Sequence, residues 1–156
     1  EEKEDAGDRI DTDVTEAIKD TVKSYVPVAE NAGKTLNQNI AENVHMKAVE
    51  SQIRQLATLL IDNAIKYCDD KGTIDVTVVQ KGKGICLTVS NSYAEGKNVD
   101  YSKFFERFYR ADTSHNVDKG GYGIGLSIAE SLVKQYNGSI NASWKDGIIT
   151  FDSILK

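Results

Sequence analysis

Apolar residues recur along this chain with the period of amphipathic helices in some stretches and with the period of strands in others. The helical period predicts three helices, at residues 13–31, 48–70 and 122–136. Asp13 and Glu16 form a capping-box pattern at the start of the first helix. Pro27 lies inside that helix and is expected to kink or divide it, because proline lacks the N–H that the helix requires.

Strict alternation of apolar and polar residues predicts two β-hairpins, each closed by a glycine-containing turn. Residues 34–47 are partly alternating, so one or two short strands are expected there. The hairpin strands are expected at residues 73–80 and 85–91, and at residues 139–144 and 148–154. This order predicts an α/β (α+β) two-layer sandwich, with a mixed, mostly antiparallel sheet covered on one face by about three helices.

Two segments lack a regular pattern. Residues 1–11 begin with an acidic run and are expected to be a linker or a disordered terminus, which leaves residues 12–156 as the domain. Residues 92–120 form a long loop with one helical turn near residues 103–108. A loop of that length in a compact domain is usually functional or disordered.

Composition is ordinary for one soluble domain of 156 residues, with 40% hydrophobic residues and a net charge of −5. The acidic balance disfavours nucleic acid as a partner, because phosphate backbones require a basic surface. Cys68 and Cys86 lie in apolar patterns and are interpreted as small core residues. No apolar run approaches the roughly 20 residues of a membrane span, and no signal peptide is visible. We therefore expect a cytoplasmic segment without direct membrane contact, such as the cytoplasmic part of a membrane-bound protein.

A glycine run directly before the third helix is the strongest candidate for chemistry. Glycines at alternate positions let the backbone approach a ligand closely, and the following helix supplies unpaired N–H groups for phosphate. The alternative is a plain first turn of a packing helix, since such runs are common. The predicted phosphate-binding residues are Gly121, Tyr122, Gly123, Ile124, Gly125 and Leu126.

One stripe of the second helix carries Leu59, Asn63, Lys66 and Tyr67, which lie at helical spacing beside the core stripe. The amide oxygen of Asn63 is a ligand type that Mg²⁺ accepts, and Lys66 can contact a phosphate. Tyr67 offers a flat surface and a hydroxyl to a nucleoside or a phosphate. The alternative is an exposed helix flank with a half-buried tyrosine.

The segment at residues 104–110 combines aromatic residues with two arginines. At least two of its four aromatic side chains are expected to anchor the loop to the core. Arg107 and Arg110 lie three residues apart, so in one helical turn they point the same way and suit a γ-phosphate. The alternative for these arginines is a salt bridge to Glu106 or Asp112.

The three segments together resemble the catalytic, ATP-binding domain of bacterial sensor histidine kinases, a branch of the gyrase, chaperone and mismatch-repair ATPase superfamily. Residues 60–67 resemble the N box, residues 105–110 the F box, and residues 121–126 the second glycine box. The resemblance implies ATP as substrate, Mg²⁺ at Asn63, and phosphate contacts from Lys66 and the glycine run. It also implies that Tyr67 lies near the nucleotide and that the loop at about residues 92–120 forms a lid over the ATP.

The reaction implied by the resemblance transfers the γ-phosphoryl group to a histidine on the protein's own dimerisation and phosphoacceptor domain. A response regulator then receives the group. His45 and His115 lack the sequence context of that acceptor, so the acceptor helices are expected N-terminal to Glu1. This chain alone is not expected to phosphorylate itself.

Two positions depart from the family pattern. Asn91 stands where the first glycine box has an adenine-binding aspartate, and no glycine follows two or four residues later. An asparagine oxygen still accepts a hydrogen bond, so weaker or less selective adenine binding is expected. Leu59 stands where ATP-hydrolysing relatives have a glutamate base, which disfavours a hydrolase.

A degenerate module that acts through protein–protein contacts is the alternative function. The retained phosphate-type residues favour the kinase, because packing alone does not require them. They are Asn63, Lys66, Arg107 and Arg110.

Overall fold

The computed structural model describes residues 9–97, 99–105 and 125–156 of the chain. Three α-helices and seven β-strands lie within these ranges, with a short 3₁₀ turn at Tyr101–Lys103. In chain order the elements are β1 (Ile10–Asp13), α1 (Val14–Asn31), β2 (Thr35–Ile40), β3 (His45–Ala48), α2 (Glu50–Tyr67), β4 (Thr73–Lys81), β5 (Gly84–Ser92), α3 (Gly125–Gln135), β6 (Ser139–Lys145) and β7 (Ile148–Leu155).

The main sheet has five strands in the order β2-β4-β5-β7-β6. Strands β2 and β4 are parallel, and the other neighbouring pairs are antiparallel. The short strands β1 and β3 form a separate antiparallel pair. The predicted fold class, a mixed and mostly antiparallel sheet with helices, is confirmed.

The sheet buries one face against the helices, as the alternation along its strands predicts. Ile74 and Val76 of β4 and Leu87 and Val89 of β5 are completely buried, and they share one core cluster with Leu60 of α2. The opposite face is polar. There the Thr88 hydroxyl donates a 2.8 Å hydrogen bond to the Asp152 carboxylate across the β5–β7 pair.

Helix α1 begins where its capping pattern predicts. The Asp13 side chain accepts a 3.0 Å hydrogen bond from the Glu16 backbone N–H. Pro27 does not divide the helix, which continues to Asn31. Buried Val22 and Ala29 lie on either side of the exposed proline in sequence, so packing against the core holds both halves in the same helix.

Strand β1 and the start of α2 correct the predicted boundaries. Residues 10 and 11 belong to β1 rather than to a linker, because they pair with Lys47 and Ala48 of β3. Helix α2 therefore begins at Glu50 and ends at Tyr67, within the predicted range 48–70. Gln80 joins the two sheets, since its side-chain amide accepts from the His45 N–H at 3.1 Å and donates to the His45 carbonyl at 2.8 Å.

Helix α2 lacks a side-chain cap of its own, and Tyr136 supplies one from the far end of α3. The completely buried Tyr136 hydroxyl accepts a 3.0 Å hydrogen bond from the Val49 N–H and donates at 2.6 Å to the Gln52 carbonyl oxygen. The Arg9 guanidinium lies 3.9 Å from the centre of the Tyr136 ring and donates to the Gln135 carbonyl. The start of α2 is thereby fixed to the end of α3.

The two cysteines occupy different environments. Cys68 follows α2 and is buried, as predicted, and burial raises the pKa of its thiol. Cys86 is only half-buried and lies on the polar side of β5, with its Sγ atom 3.8 Å from the Thr88 hydroxyl. The prediction of a core position is therefore wrong for Cys86, because the alternation of β5 turns it away from the helices.

Candidate functional site

The stripe of α2 that is predicted to carry the metal and phosphate contacts occupies one half-buried edge of the helix. Leu59, Asn63, Lys66 and Tyr67 all have intermediate exposure, and the completely buried Leu60 and Ala64 lie beside them on the core side. Such an edge keeps the polar ends of side chains accessible while the helix stays anchored by its apolar stripe.

The start of α3 lies next to this edge. A Cβ atom added at Gly125 would lie 3.7 Å from the Leu59 Cδ2 atom. Gly125 and Leu126 are thus brought beside the N-box helix, and both are half-buried. Leu59 therefore lies next to the start of α3. The other predicted phosphate-binding residues lie outside the described residues and remain predictions: Arg107, Arg110, Gly121, Tyr122, Gly123 and Ile124.

Asn91 occupies the helix-facing side of β5 at its carboxyl end and is 1% exposed. Its Nδ2 atom donates a 2.9 Å hydrogen bond to the Ser92 carbonyl. Its Oδ1 atom is buried and has no hydrogen-bond partner among the described residues. An unpaired buried acceptor costs about 1–3 kcal/mol, so a ligand with a matching donor would relieve this cost.

The amino group of Lys66 lies 3.3 Å from the Asp62 carboxylate, one helical turn away. Both side chains are more than a third exposed, and such helix-surface pairs contribute only about 0.3–0.5 kcal/mol. Lys66 can therefore exchange this partner for another anion at little cost.

The carboxylate of Asp62 also acts on a tyrosine of the neighbouring helix. Burial raises the pKa of Tyr25 on α1, and the negative charge of Asp62 raises it further.

The chain beyond β5 is held against the sheet by hydrogen bonds and aromatic contacts. We call residues 93–97 and 99–105 the post-β5 segment. The Tyr93 N–H donates to the Gly147 carbonyl at 2.7 Å, and the Trp144 indole N–H donates to the Tyr93 carbonyl at 2.7 Å. The Ala94 N–H donates to the Asp69 carboxylate at 2.8 Å.

Aromatic side chains also anchor the post-β5 segment. The ring centres of Phe104 and Phe105 lie 6.0 and 6.2 Å from that of Phe151 in β7. The anchoring predicted for at least two of the four aromatic residues is confirmed for this pair. The other two, Phe108 and Tyr109, lie outside the described residues.

Two residues that shape this region were missed by sequence reasoning. Gly96 and Trp144 lie in close contact beside Tyr101, although they are far apart in sequence. The only signal in the sequence was the presence of a single tryptophan in a strand otherwise rich in small polar residues.

A divalent metal at this site would depend on few protein ligands. Within the described ranges no group of three or more histidine, cysteine, aspartate or glutamate side chains could hold a metal ion. Mg²⁺ commonly uses one or two protein oxygens together with water and substrate phosphates, which is compatible with Asn63 as a ligand. In the same ranges no helix has the length and apolar character needed to cross a membrane.

The part of the chain that carries the candidate site matches a known protein family. Residues 48–151 match the family model described as histidine kinase-, DNA gyrase B- and HSP90-like ATPase. The chain belongs to this family. The matched range includes α2, β5 and α3, the elements that carry Asn63, Asn91 and Gly125.

Curated relatives of the chain are bacterial sensor proteins. Sensor protein DltS of Streptococcus agalactiae is 35% identical over 124 residues, which cover 80% of this chain and 31% of the relative. Histidine-protein kinase BaeS of Escherichia coli is 31% identical over 111 residues, which cover 71% of this chain and 24% of the relative. The chain thus spans a third or less of the length of these relatives.

Solved structures share the fold. The nucleotide-free catalytic domain of histidine kinase ThkA superposes with a TM-score of 0.79 at 19% identity, covering 94% of each chain. The mycobacterial sensor histidine kinase MprB gives a TM-score of 0.78 at 18% identity, covering 94% of this chain and 97% of that one. ThkA in complex with a response regulator gives 0.74 at 18% identity, covering 94% and 41%.

Proposed function

We propose that this chain is the ATP-binding catalytic domain of a two-component sensor histidine kinase. It binds ATP with Mg²⁺ and presents the γ-phosphoryl group to a histidine on the protein's separate dimerisation and phosphoacceptor domain. The observation that carries the proposal is the buried, unpaired Oδ1 atom of Asn91 in an element that contacts the N-box helix.

The Asn91 amide suits adenine for a specific reason. One N–H of its Nδ2 atom donates to the Ser92 carbonyl, and its Oδ1 acceptor is buried and has no partner among the described residues. The 6-amino group of adenine is a donor that fits this acceptor, whereas the 6-oxo group of guanine is not. Because the amide is neutral, the bond lacks the charge assistance that an aspartate would give.

The triphosphate is proposed to lie along the half-buried edge of α2 and the start of α3. Lys66 exchanges Asp62 for a phosphate oxygen, and the weakness of the exposed ion pair makes this exchange inexpensive. Asn63 would hold Mg²⁺, which neutralises phosphate charge when bound. Backbone N–H groups of residues 121–126 and the guanidinium groups of Arg107 and Arg110 complete the predicted phosphate contacts.

The residues of the chain contribute binding and orientation rather than covalent chemistry. Phosphoryl transfer needs positioning and charge neutralisation, and both are available from the groups named above. Leu59 offers no base to activate water and packs near Gly125, so transfer to a histidine is favoured over hydrolysis. The proposed partners are the phosphoacceptor domain and a response regulator, the second by analogy with the complex of ThkA with its response regulator protein.

A calorimetric titration of the chain with ATP·Mg²⁺ and with purine riboside triphosphate·Mg²⁺ tests this proposal. The second ligand lacks only the 6-amino group. We expect the wild type to bind ATP about three- to tenfold more tightly, the range that corresponds to one neutral hydrogen bond. In Asn91→Ala the two ligands should bind equally.

Asn141→Ala is the matched control, because Asn141 is exposed in β6. It should leave both affinities unchanged. Asn63→Ala should weaken ATP only when Mg²⁺ is present. An absence of binding to the wild type at millimolar ATP would instead support a degenerate module that acts through protein contacts.

A further inference from the structure

Trp144 holds the chain at the point where β5 ends. Its indole N–H donates to the Tyr93 carbonyl at 2.7 Å, across 51 residues of sequence. The backbone N–H of the same residue, Tyr93, donates to the Gly147 carbonyl at 2.7 Å. The β6–β7 hairpin thus contacts Tyr93 on both its donor and its acceptor side, from Gly147 in the turn and from Trp144 in β6.

Gly96 lets the backbone cross the edge of the indole. A Cβ atom added at Gly96 would lie 2.3 Å from Trp144 Cδ1, 2.5 Å from Trp144 Nε1 and 2.5 Å from the Tyr101 hydroxyl oxygen. These separations are too short for any side chain, so only glycine fits. The Tyr101 hydroxyl donates to the Gly96 carbonyl and fixes the same turn from its other side.

The contact with Trp144 is two residues from Asn91. The Ser92 carbonyl that accepts from the Asn91 amide also accepts from the Asp69 N–H at 3.0 Å. Tyr93 follows directly and carries the Trp144 bond. The orientation of the Asn91 amide therefore depends on a backbone path that is fixed at Asp69, Gly147 and Trp144.

We infer that Trp144, with Gly96 and Tyr101, is a positioning unit that keeps the Asn91 acceptor aimed at the purine base. No glycine stands at position 93 or 95, where the family pattern has one. Here the segment is held by the Trp144 bond to Tyr93 and by the Tyr101 bond to Gly96. This inference rests on the proposed function, because it names how the base-binding residue of that site is held.

The contacts of the unit determine which ligands should bind more weakly when the unit is disrupted. It acts on the residue proposed to read the base, through hydrogen bonds to the Tyr93 and Gly96 carbonyls, which are not among the predicted phosphate-binding groups. Trp144→Phe keeps an aromatic ring but removes the N–H donor. We expect it to weaken ATP·Mg²⁺ about three- to tenfold and to leave tripolyphosphate·Mg²⁺, which has no base, unchanged.

The experiment is a set of calorimetric titrations on wild type, Trp144→Phe and Tyr101→Phe. The ligands are ATP, purine riboside triphosphate and inorganic tripolyphosphate, each with Mg²⁺. Trp144→Phe should lose most of the preference for ATP over the riboside analogue. Tyr101→Phe removes one hydroxyl from the other end of the unit and should act in the same direction with a smaller effect. It also preserves the test if Trp144→Phe does not fold.

Hydrogen exchange separates positioning from a general loss of stability. In Trp144→Phe, amides of residues 92–97 should exchange faster, whereas those of β4 and β7 should keep their wild-type rates. If the wild type prefers ATP and both variants keep that preference with unchanged exchange, the positioning role is refuted while the proposed function stands. If the wild type does not bind ATP, the proposed function fails and this inference fails with it.

Discussion

Individual side chains in this domain owe their properties to the face of the element on which they lie. Cys68 is buried behind α2, with its Sγ atom 3.8 Å from the Thr73 carbonyl, and burial raises the pKa of its thiol. Cys86 lies on the polar side of β5 and is half-exposed. The thiolate is the reactive form, so Cys68 is protected both by its inaccessibility and by its protonation.

Alkylation should therefore distinguish the two cysteines. We expect iodoacetamide at pH 8 to label Cys86 first, and Cys68 only after unfolding, as measured by peptide mass spectrometry. Because the raised pKa stabilises the protonated thiol in the folded state, the stability contributed by Cys68 is present below its unfolded pKa. That contribution is lost as pH rises through the folded pKa. Equal labelling rates in the native protein would contradict this assignment.

For Asn91, the sequence predicts a candidate position but not the hydrogen bonds of the side chain. Its proposed role as the base-reading residue rests on the family resemblance, in which it stands at the aspartate position of the first glycine box. Its unpaired oxygen does not, because that depends on the Ser92 carbonyl and on the packing of β5. The contact of Leu59 with the start of α3 was likewise absent from the sequence pattern, since it joins residues of two distant helices.

At the scale of elements, the helices that bear the site are fixed by a contact between their far ends. Helix α2 has no side-chain cap at Val49, and the Tyr136 hydroxyl serves there instead while also bonding to Gln52. Arg9 packs over the same ring. Tyr136 follows the last residue of α3, the helix whose first residue lies beside Leu59, so the contact sets how both helices are placed.

Removal of the Tyr136 hydroxyl should therefore be costly. We expect Tyr136→Phe to lower the free energy of unfolding by about 1–3 kcal/mol, because it leaves the Val49 N–H without this buried acceptor. Urea denaturation measures the change. Tyr25→Phe is the control, since that half-buried hydroxyl lies on α1 away from this contact, and it should change stability by less than about 0.5 kcal/mol. An equal effect of both substitutions would show that the Tyr136 hydroxyl does not act as a cap.

The elements themselves were largely predictable because their hydrophobic periods are regular. Both hairpins and the parallel partner of β4 lie where alternation predicts strands. Strand β1 was missed, since four residues with one buried position give too little pattern. Of the two outcomes predicted at Pro27, division of the helix is wrong, because burial of Ala29 outweighs the missing backbone hydrogen bond.

At the scale of the whole molecule, the two faces of the main sheet differ. The sheet buries its apolar face under α1, α2 and α3 and leaves a polar face on the other side, and the described part of the candidate site lies where the helical layer meets the end of β5. Order along the sequence predicted this layering. It could not predict that the β6–β7 hairpin holds the end of β5, because the contact from Trp144 to Tyr93 spans 51 residues.

A crystal structure of the chain with a non-hydrolysable ATP analogue and Mg²⁺ tests the central claim most directly. The proposed function predicts the adenine amino group within hydrogen-bond distance of Asn91 Oδ1, Mg²⁺ on Asn63, and Lys66 turned from Asp62 to a phosphate. A nucleotide bound elsewhere, or an Asn91 oxygen still unpaired in crystals grown with saturating analogue, would contradict it.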